Sequence, residues 1–280
     1  MLRIGFISYL NAYPFYYPFQ KLDESSRRGW DFTVKRPGVL NNMLSAGALD
    51  VSLVSLMEYA TRKDDYELIS GVALSSRGYV DSVRLLSKVP MEQLRGCEIR
   101  ITNASATSSA VMKILLFQKG ISDFSCKPYE AAHGLPECKA ALTIGDEALI
   151  DRGEQFAYIY DLGEIWQELF KCNVIFAVCA VRKQALDEKL PHLNAFARLI
   201  RQSPRLSFED ATFEAACYRQ YPHIEAPMAY LKRLHFEMGP AEEQDMQFFF
   251  DKAYEYGLLE QAISPEYFIE PEEFAQPGEY

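Results

Sequence analysis

Short apolar runs alternate with helical patterns through the first 180 residues, and this alternation limits the chain to few folds. Residues 3–7 and 51–54 have the branched and aromatic side chains typical of buried strands. Between them, residues 40–46 place apolar side chains on one helical face, and Gly47 follows where a helix would end. Because parallel strands need a crossover connection, this order predicts a β-α-β unit and an α/β protein with a largely parallel sheet.

A second set of elements begins after Pro90. Further strands are predicted at residues 83–86, 98–102, 140–144 and 174–181. A helix is predicted at residues 105–119, and the C-terminal region after about residue 182 reads as helical. This order indicates a discontinuous first lobe, residues 1–85 and 176–280, with residues 86–175 inserted as a second lobe. Two crossings between lobes form a hinge and place a ligand in a central cleft.

The composition narrows the classes of partner. The chain has 280 residues, a net charge of −10 and a pI of about 5.0, which disfavours nucleic acid or an anionic membrane as its main partner. No apolar run approaches the roughly 20 residues that a membrane-spanning helix needs. The first residues lack the pattern of a secretory signal. We therefore expect a cytoplasmic monomer or homodimer that binds a small molecule.

Cysteine and histidine do not occur at the spacings of known metal sites. The six cysteines are scattered, without a CxxC pair, and the four histidines are equally dispersed. We interpret the cysteines as reduced structural thiols, and we expect neither a metal nor a cofactor. They are Cys97, Cys126, Cys138, Cys172, Cys179 and Cys217.

A polar turn, Ser8-Tyr9-Leu10-Asn11, follows the first predicted strand. The carboxyl ends of parallel strands face the ligand crevice in sheets of this type. Asn11 could donate and accept hydrogen bonds there without carrying charge. The same spacing equally fits a turn in which Ser8 and Asn11 cap a helix, and the sequence leaves both interpretations open.

The loop before the strand at residue 83 combines hydroxyl groups with a guanidinium. Ser76, Arg77 and Gly78 are followed by Ser82, and hydroxyl and guanidinium groups recognise carboxylates well. An ordinary polar loop, with Arg77 solvated or paired with Asp81, is the alternative.

Segment 103–109, Asn-Ala-Ser-Ala-Thr-Ser-Ser, lies between a predicted strand and a predicted helix. Its small residues would let an anion approach the first N–H groups of the helix, and Ser105 and Thr107 would add hydroxyl donors. The segment lacks the glycines and lysine of a phosphate-binding P-loop, and no GxGxxG occurs in the chain, so nucleotide binding is disfavoured. A serine helix cap without a ligand is the alternative.

Acidic residues follow two further strands. Asp146 comes after Gly145, and Asp161 and Glu164 stand further along the chain, where carboxylates could act as bases or orient hydroxyl groups. Both positions also fit helix starts, where acidic side chains stabilise the helix dipole. We favour this capping role for Asp146 and Glu164.

Taken in order, these segments resemble one family, the chorismate dehydratases of the futalosine route to menaquinone. The matching segments are Ile7–Asn11, Leu49–Ser55, Ser75–Gly78 with Ser82–Val83, Thr102–Ser108, Ile144–Leu149, Asp161–Trp166 and Phe176–Val178. The resemblance implies a periplasmic-binding-protein-like type II fold. It also implies a carbon-oxygen lyase that converts chorismate to 3-[(1-carboxyvinyl)oxy]benzoate and water.

The resemblance makes Asn11 and Ser82 the expected catalytic residues. The residues expected to bind substrate are Ser8, Ser55, Ser76, Arg77, Gly78, Asn103, Ser105, Ala106, Thr107, Gly145 and Asp146. In this hypothesis, Ser105, Thr107 and the helix N-terminus hold one carboxylate, and the base is the substrate's own enolpyruvyl carboxylate. Two alternatives remain: a non-catalytic anion-binding protein of the same fold, and the sister lyase acting on cyclic dehypoxanthine futalosine.

Overall fold

A computed structural model describes residues 1–102, 105–130 and 134–268. Within these residues the strands form two separate mixed sheets. In sheet order, the first contains β11 (Leu234–Glu237), β4 (Tyr66–Ser76), β10 (Val174–Arg182), β3 (Val51–Ser55), β1 (Leu2–Ile7) and β2 (Trp30–Lys35), and β12 (Tyr267–Phe268) pairs with β4. The second contains β7 (Phe124–Tyr129), β6 (Cys97–Thr102), β8 (Ala140–Ile144), β5 (Val83–Ser87) and β9 (Tyr158–Asp161).

Both sheets follow the same plan. In each, three strands run parallel, β2-β1-β3 in one sheet and β7-β6-β8 in the other. A strand that arrives from the other sheet then pairs antiparallel, β10 beside β3 and β5 beside β8. The expectation of a largely parallel sheet is therefore wrong for β4, β5, β10 and β11, whose pairings with one another or with β3, β8 and β9 are antiparallel.

The chain passes between the sheets twice, once between β4 and β5 and once before β10. The whole of β5 belongs to the second sheet and the whole of β10 to the first. The division into lobes at residues 85 and 176 stays a prediction, and sheet membership places each crossing a few residues earlier. Two adjacent crossings leave the ends of strands from both sheets facing the same space.

Helices cover the sheets. They are α1 (Tyr13–Gln20), α2 (Pro37–Ser45), α3 (Leu56–Thr61), α4 (Ala106–Gln118), α5 (Gly145–Ile150), α6 (Leu162–Phe170), α7 (Lys183–Glu188), α8 (Leu190–Glu209), α9 (Phe213–Gln220), α10 (Pro227–Leu231) and α11 (Pro240–Glu255), with short 3-10 helices at Leu10–Ala12 and Met91–Gln93. No helix in the described part of the chain is long and apolar enough to cross a membrane.

Buried aromatic rings hold α1 and α8 against the first sheet. The ring of Phe19 on α1 lies 5.0 Å from that of Phe6 on β1 and 5.5 Å from that of Phe196 on α8. All three side chains are buried. Burying each ring contributes about 2 kcal/mol to the stability of the fold. This packing holds α1, together with the turn that precedes it, against the first sheet.

Side-chain caps begin two helices near the interface between the sheets. Ser105 caps α4 by accepting a hydrogen bond from the Ser108 N–H at 3.2 Å. Asp161 caps α6 by accepting one from the Glu164 N–H at 3.0 Å. Glu164 lies in the first turn of α6, where its acidic side chain stabilises the helix dipole as expected, while the side-chain cap itself is Asp161.

Candidate functional site

A cleft lies between the two sheets. Its walls come from both sheets and include Asn11, Ser55, Ser82, Ser105, Gly145 and Tyr230. Apolar side chains, among them Leu74, Val83 and Phe176, make up much of the remaining surface. Among the described residues that line it, none carries a formal charge. A ligand here would therefore be held by neutral hydrogen-bond donors and by shape.

Asn11 enters the cleft from the 3-10 helix that follows β1. Its side-chain oxygen is buried and has no hydrogen-bond partner within the protein. An unpaired buried amide oxygen is costly, so this atom is available to a ligand donor. The alternative interpretation of the turn as a helix cap is not found, because α1 begins after Ala12 with no side-chain cap.

Ser82 reaches the cleft because the residue before it has left-handed backbone geometry. Asp81 has a φ of 68°, which few residues other than glycine, asparagine and aspartate tolerate. The Asp161 carboxylate holds this turn by accepting hydrogen bonds from the Val80 and Asp81 N–H groups, the latter at 2.6 Å. The Asp81 carboxylate in turn accepts from Arg152 at 2.7 Å.

Tyr230 on α10 is the site residue that the sequence analysis missed. Its side chain is buried, lines the cleft and donates a hydrogen bond from its phenol to Ser82 Oγ at 2.7 Å. The Asn11 side chain lies beside the same phenol. Burial raises the pKa of Tyr230 well above its usual range, so the phenol stays protonated. The two predicted catalytic residues therefore meet at this phenol.

The N-terminus of α4 forms the wall contributed by the second sheet. Ser105 and Ser108 both line the cleft there, and the Ser108 hydroxyl donates to Ser105 Oγ at 3.3 Å. The helix has thirteen residues, so its dipole places partial positive charge at this end. This wall therefore suits an anionic ligand group although it carries no charged side chain.

Ser55 also lines the cleft and caps α3, whose first turn is hydrogen-bonded to the first turn of α4 through the Met57 N–H and the Thr107 hydroxyl. Its buried hydroxyl oxygen accepts from the Glu58 N–H at 3.3 Å and from the Asn41 amide at 3.2 Å. Both of these contacts use the oxygen, so the hydroxyl proton can be donated to a ligand.

Two features of the structure require glycine at position 145. Its φ is 62°, and a Cβ at this position would lie 2.7 Å from the ring of Tyr9. Its N–H donates to the Ser82 carbonyl at 2.8 Å, so the start of α5 and the Ser82 turn hold one another. The absence of a side chain brings the second sheet close to the turn after β1.

Asp146 joins the two sheets beside the cleft but does not line it. Its carboxylate accepts a hydrogen bond from the Leu10 N–H at 2.9 Å, so the carboxylate caps the 3-10 helix after β1. Burial raises the pKa of Asp146 to about 7, and the charge of Glu147 adds to this, whereas the Leu10 contact and Arg36 lower it. This acid therefore changes charge near neutral pH.

Residues 76–78, which were expected to bind a carboxylate, do not line the cleft. Arg77 is largely exposed and pairs with Glu242 on α11 at 3.2 Å. Ser76 is buried beneath the loop, and its hydroxyl lies 3.5 Å from the Gly78 carbonyl. That carbonyl packs so closely on Gly163 that a Cβ there would collide with it. These residues build the turn, and their expected role in binding substrate stays a prediction.

Three other predicted binding residues also lie away from the cleft. Thr107 is buried, and its hydroxyl oxygen accepts from the Met57 N–H at 3.0 Å, which ties α4 to α3. Ala106 is exposed at the start of α4, and Ser8 offers its carbonyl to the Tyr221 phenol at 3.2 Å. Asn103 falls outside the described residues, so its predicted role stays a prediction.

Solved structures of similar architecture include periplasmic binding proteins and proteins described as sharing their fold. The alkanesulfonate-binding protein of Xanthomonas axonopodis pv. citri, bound to MOPS, is 12% identical with a TM-score of 0.66 over 94% of this chain and 95% of that one. A Candida albicans protein described as having the generic periplasmic binding protein fold is 12% identical with a TM-score of 0.62, covering 94% and 92%. The expected periplasmic-binding-protein-like type II fold, with two lobes and a central cleft, is therefore confirmed.

Sequence comparison adds the family. A protein named chorismate dehydratase from Thermus thermophilus is 27% identical over 201 residues, which are 65% of this chain and 70% of the relative. The profile of the family described as "Menaquinone biosynthesis" matches residues 2–255. That match spans both sheets and every described cleft residue, so the chain belongs to the menaquinone biosynthesis family.

Proposed function

We propose that the protein is a chorismate dehydratase, a lyase that removes water from chorismate to form 3-[(1-carboxyvinyl)oxy]benzoate. One observation carries the proposal. Asn11, which follows the first strand of the first sheet, and Ser82, from the crossing to the second, line one cleft together with the start of α4, and none of its described lining residues is charged. The family and the name of the Thermus thermophilus relative support the same reaction.

The reaction needs little acid-base catalysis from the protein. The ring C–O bond to the hydroxyl group breaks, one ring hydrogen leaves as a proton, and the C–H electron pair completes the aromatic ring. Hydroxyl and proton together form the water released. Because aromatisation drives this elimination, the protein must mainly hold the dianion in one orientation and stabilise the leaving oxygen. Neutral donors can do both.

We assign the substrate carboxylates to hydrogen-bond donors that line the cleft. Ser105, Ser108 and the first turn of α4 hold one carboxylate through hydroxyl groups and the helix dipole. Ser82 and Ser55 donate further hydrogen bonds from their hydroxyl groups, and Asn11 hydrogen-bonds the reacting region. The base in this scheme is the enolpyruvyl carboxylate of the substrate, which lies within the same molecule as the proton it removes.

The apolar part of the cleft supports the same substrate class. Val83, Phe176 and Leu74 offer apolar surface to a six-membered ring, and hydrogen-bonding side chains line the same cleft. Low polarity around the ring also strengthens each hydrogen bond to the departing oxygen. The cytoplasmic location expected from the sequence stays a prediction.

Incubation with chorismate tests the proposal. We expect loss of one water by mass spectrometry and a rise in aromatic absorbance. Asn11→Ala and Ser82→Ala should each lower kcat about a hundredfold, the usual cost of removing a donor to developing charge. Ser87→Ala is the matched control, because its hydroxyl donates to the Val89 carbonyl at the far end of β5. It should leave kcat unchanged.

The outcome separates the enzyme from a binding protein of the same fold, the class to which the solved neighbours belong. A binding protein would bind chorismate and return it unchanged. Wild-type protein that binds chorismate without releasing product would therefore refute the dehydratase. Retention of kcat by both cleft variants would instead refute the assignment of Asn11 and Ser82.

A further inference from the structure

The contact between Tyr230 and Ser82 joins two segments that are 148 residues apart in the chain. The phenol donates to Ser82 Oγ at 2.7 Å, and both side chains are almost completely buried. A serine hydroxyl has one proton and can accept two hydrogen bonds. Because Tyr230 uses the oxygen as an acceptor, the serine proton is left to point elsewhere.

The segment that carries Tyr230 is held against the Ser82 turn at a second point. Arg233, just after α10, donates to the Asp81 carboxylate at 3.1 Å, and its guanidinium lies 5.4 Å from the centre of the Tyr79 ring. Arg152 from the second sheet pairs with the same carboxylate. The position of the phenol is therefore set by the same turn that places Ser82.

We propose that Tyr230 is a positioning residue, which fixes the Ser82 hydroxyl so that its proton is donated into the cleft. This inference rests on the proposed dehydratase function. Tyr230 accepts no proton and makes no bond to the substrate. Its effect passes through Ser82, and the adjacent Asn11 amide orients the phenol on its other side. Hydrogen bonds aligned in one direction also strengthen one another, so the Ser82 proton becomes a better donor.

The hydroxyl group of Ser82 is less constrained than its backbone. The backbone is held because the Ser82 carbonyl accepts a hydrogen bond from the Gly145 N–H at 2.8 Å. Its hydroxyl can still rotate about the Cα–Cβ and C–O bonds among staggered positions. Without the phenol, only a fraction of molecules would present the donor in the correct direction. Such a loss lowers the rate with little change in the space available for substrate.

The test combines Tyr230→Phe, Ser82→Ala and the double variant, with chorismate as the probe. Tyr230→Phe should lower kcat about tenfold, the cost of one misdirected hydrogen bond, while KM changes less than about twofold. In the Ser82→Ala background the same substitution should have no further effect, because the group it positions is gone. Product formed in long incubations at high protein concentration extends the same comparison of rates to the slowest variants.

Tyr129→Phe is the matched control. Its phenol is also buried and also makes one hydrogen bond, to the Leu142 carbonyl at 3.3 Å, but it does not line the cleft. It should lose a similar amount of stability and keep wild-type kcat. Equal loss of kcat in both Tyr→Phe variants would identify a merely structural role and overturn the inference.

The remaining outcomes are also distinct. If Tyr230→Phe lowers activity by the same factor with and without the Ser82 hydroxyl, the phenol acts independently and the inference is overturned. If wild-type protein binds chorismate without turnover, the proposed function fails, and the inference that rests on it fails with it. If wild-type protein neither binds nor converts chorismate, both proposals fail.

Discussion

The carboxyl group of Asp146 is expected to make the stability of the folded protein fall as pH rises toward neutrality. It lies between the sheets, beside Glu147 and Arg36, and accepts the Leu10 N–H at 2.9 Å. Burial raises its pKa from 3.8 to about 7. The folded state thus prefers the protonated acid, whereas the unfolded chain ionises near pH 4.

The size of the effect follows from that difference. Each tenfold change in acid strength corresponds to about 1.4 kcal/mol, so the ionised carboxylate costs the folded state up to about 4 kcal/mol. The stabilising contribution of the protonated acid is fully present below pH 4, is lost progressively as pH rises, and is gone above pH 7. Asp146→Asn keeps an oxygen to accept the Leu10 N–H and removes the ionisation.

We expect Asp146→Asn to match wild type near pH 4 and to become progressively more stable than wild type up to pH 7. The difference in free energy of unfolding should grow by up to about 1.4 kcal/mol per pH unit and level off above pH 7. Urea unfolding at pH 4, 5, 6, 7 and 8 measures it directly.

Asp50→Asn is the control because its pKa is displaced in the opposite direction. Burial raises the pKa of Asp50, but hydrogen bonds from Arg3 and Lys189 outweigh burial and hold it at about 2. Asp50→Asn should therefore lose a constant amount of stability from pH 5 to pH 8, where the acid is ionised in both states. Parallel pH curves for wild type and Asp146→Asn would refute the reasoning.

Two further substitutions separate cleft residues from loop residues. Gly145→Ala should destabilise the protein by about 2 to 3 kcal/mol in urea unfolding, because of backbone strain and collision with Tyr9. Gly257→Ala is the control: its φ is 68°, but no atom lies within 4 Å of the added Cβ, so it should cost only about 1 kcal/mol. Equal costs would remove the argument for a close approach. Arg77→Ala should cost less than about 1 kcal/mol, because its pair with Glu242 is exposed on the arginine side, and should leave KM for chorismate within about twofold. A tenfold rise in KM would return Arg77 to the binding site.

Buried strands were the part of the fold that local sequence could predict. Continuous apolar runs predicted β8 over residues 140–144 and β10 to within one residue of its end. Strand direction was not predictable, because strands buried on both faces are apolar whether they run parallel or antiparallel. Strand β4 was missed, since Gly71, with φ 77°, interrupts its pattern and its pairing with β10 shifts register.

Local sequence pattern predicted only part of the candidate site. Asn11 and Gly145 follow buried strands directly, and Ser105 begins a helix after β6, so their position at a strand end follows from local pattern. Tyr230 lies on a helix of five residues far along the chain, where no periodicity distinguishes it. Arg77 has the right chemistry for a carboxylate, but its exposed side chain reaches Glu242 on α11 instead.

The distribution of charge explains how a cleft whose described lining residues are uncharged would suit the proposed dianion. Two ion pairs lie near the cleft, Arg36 with Glu147 and Arg152 with Asp81. What remains in the cleft is a set of oriented dipoles from hydroxyls, an amide and the end of α4. Fixed dipoles stabilise charge that moves along the substrate during elimination without binding the starting dianion or the product dianion too tightly. An arginine in the wall would hold both dianions firmly and slow release of the product.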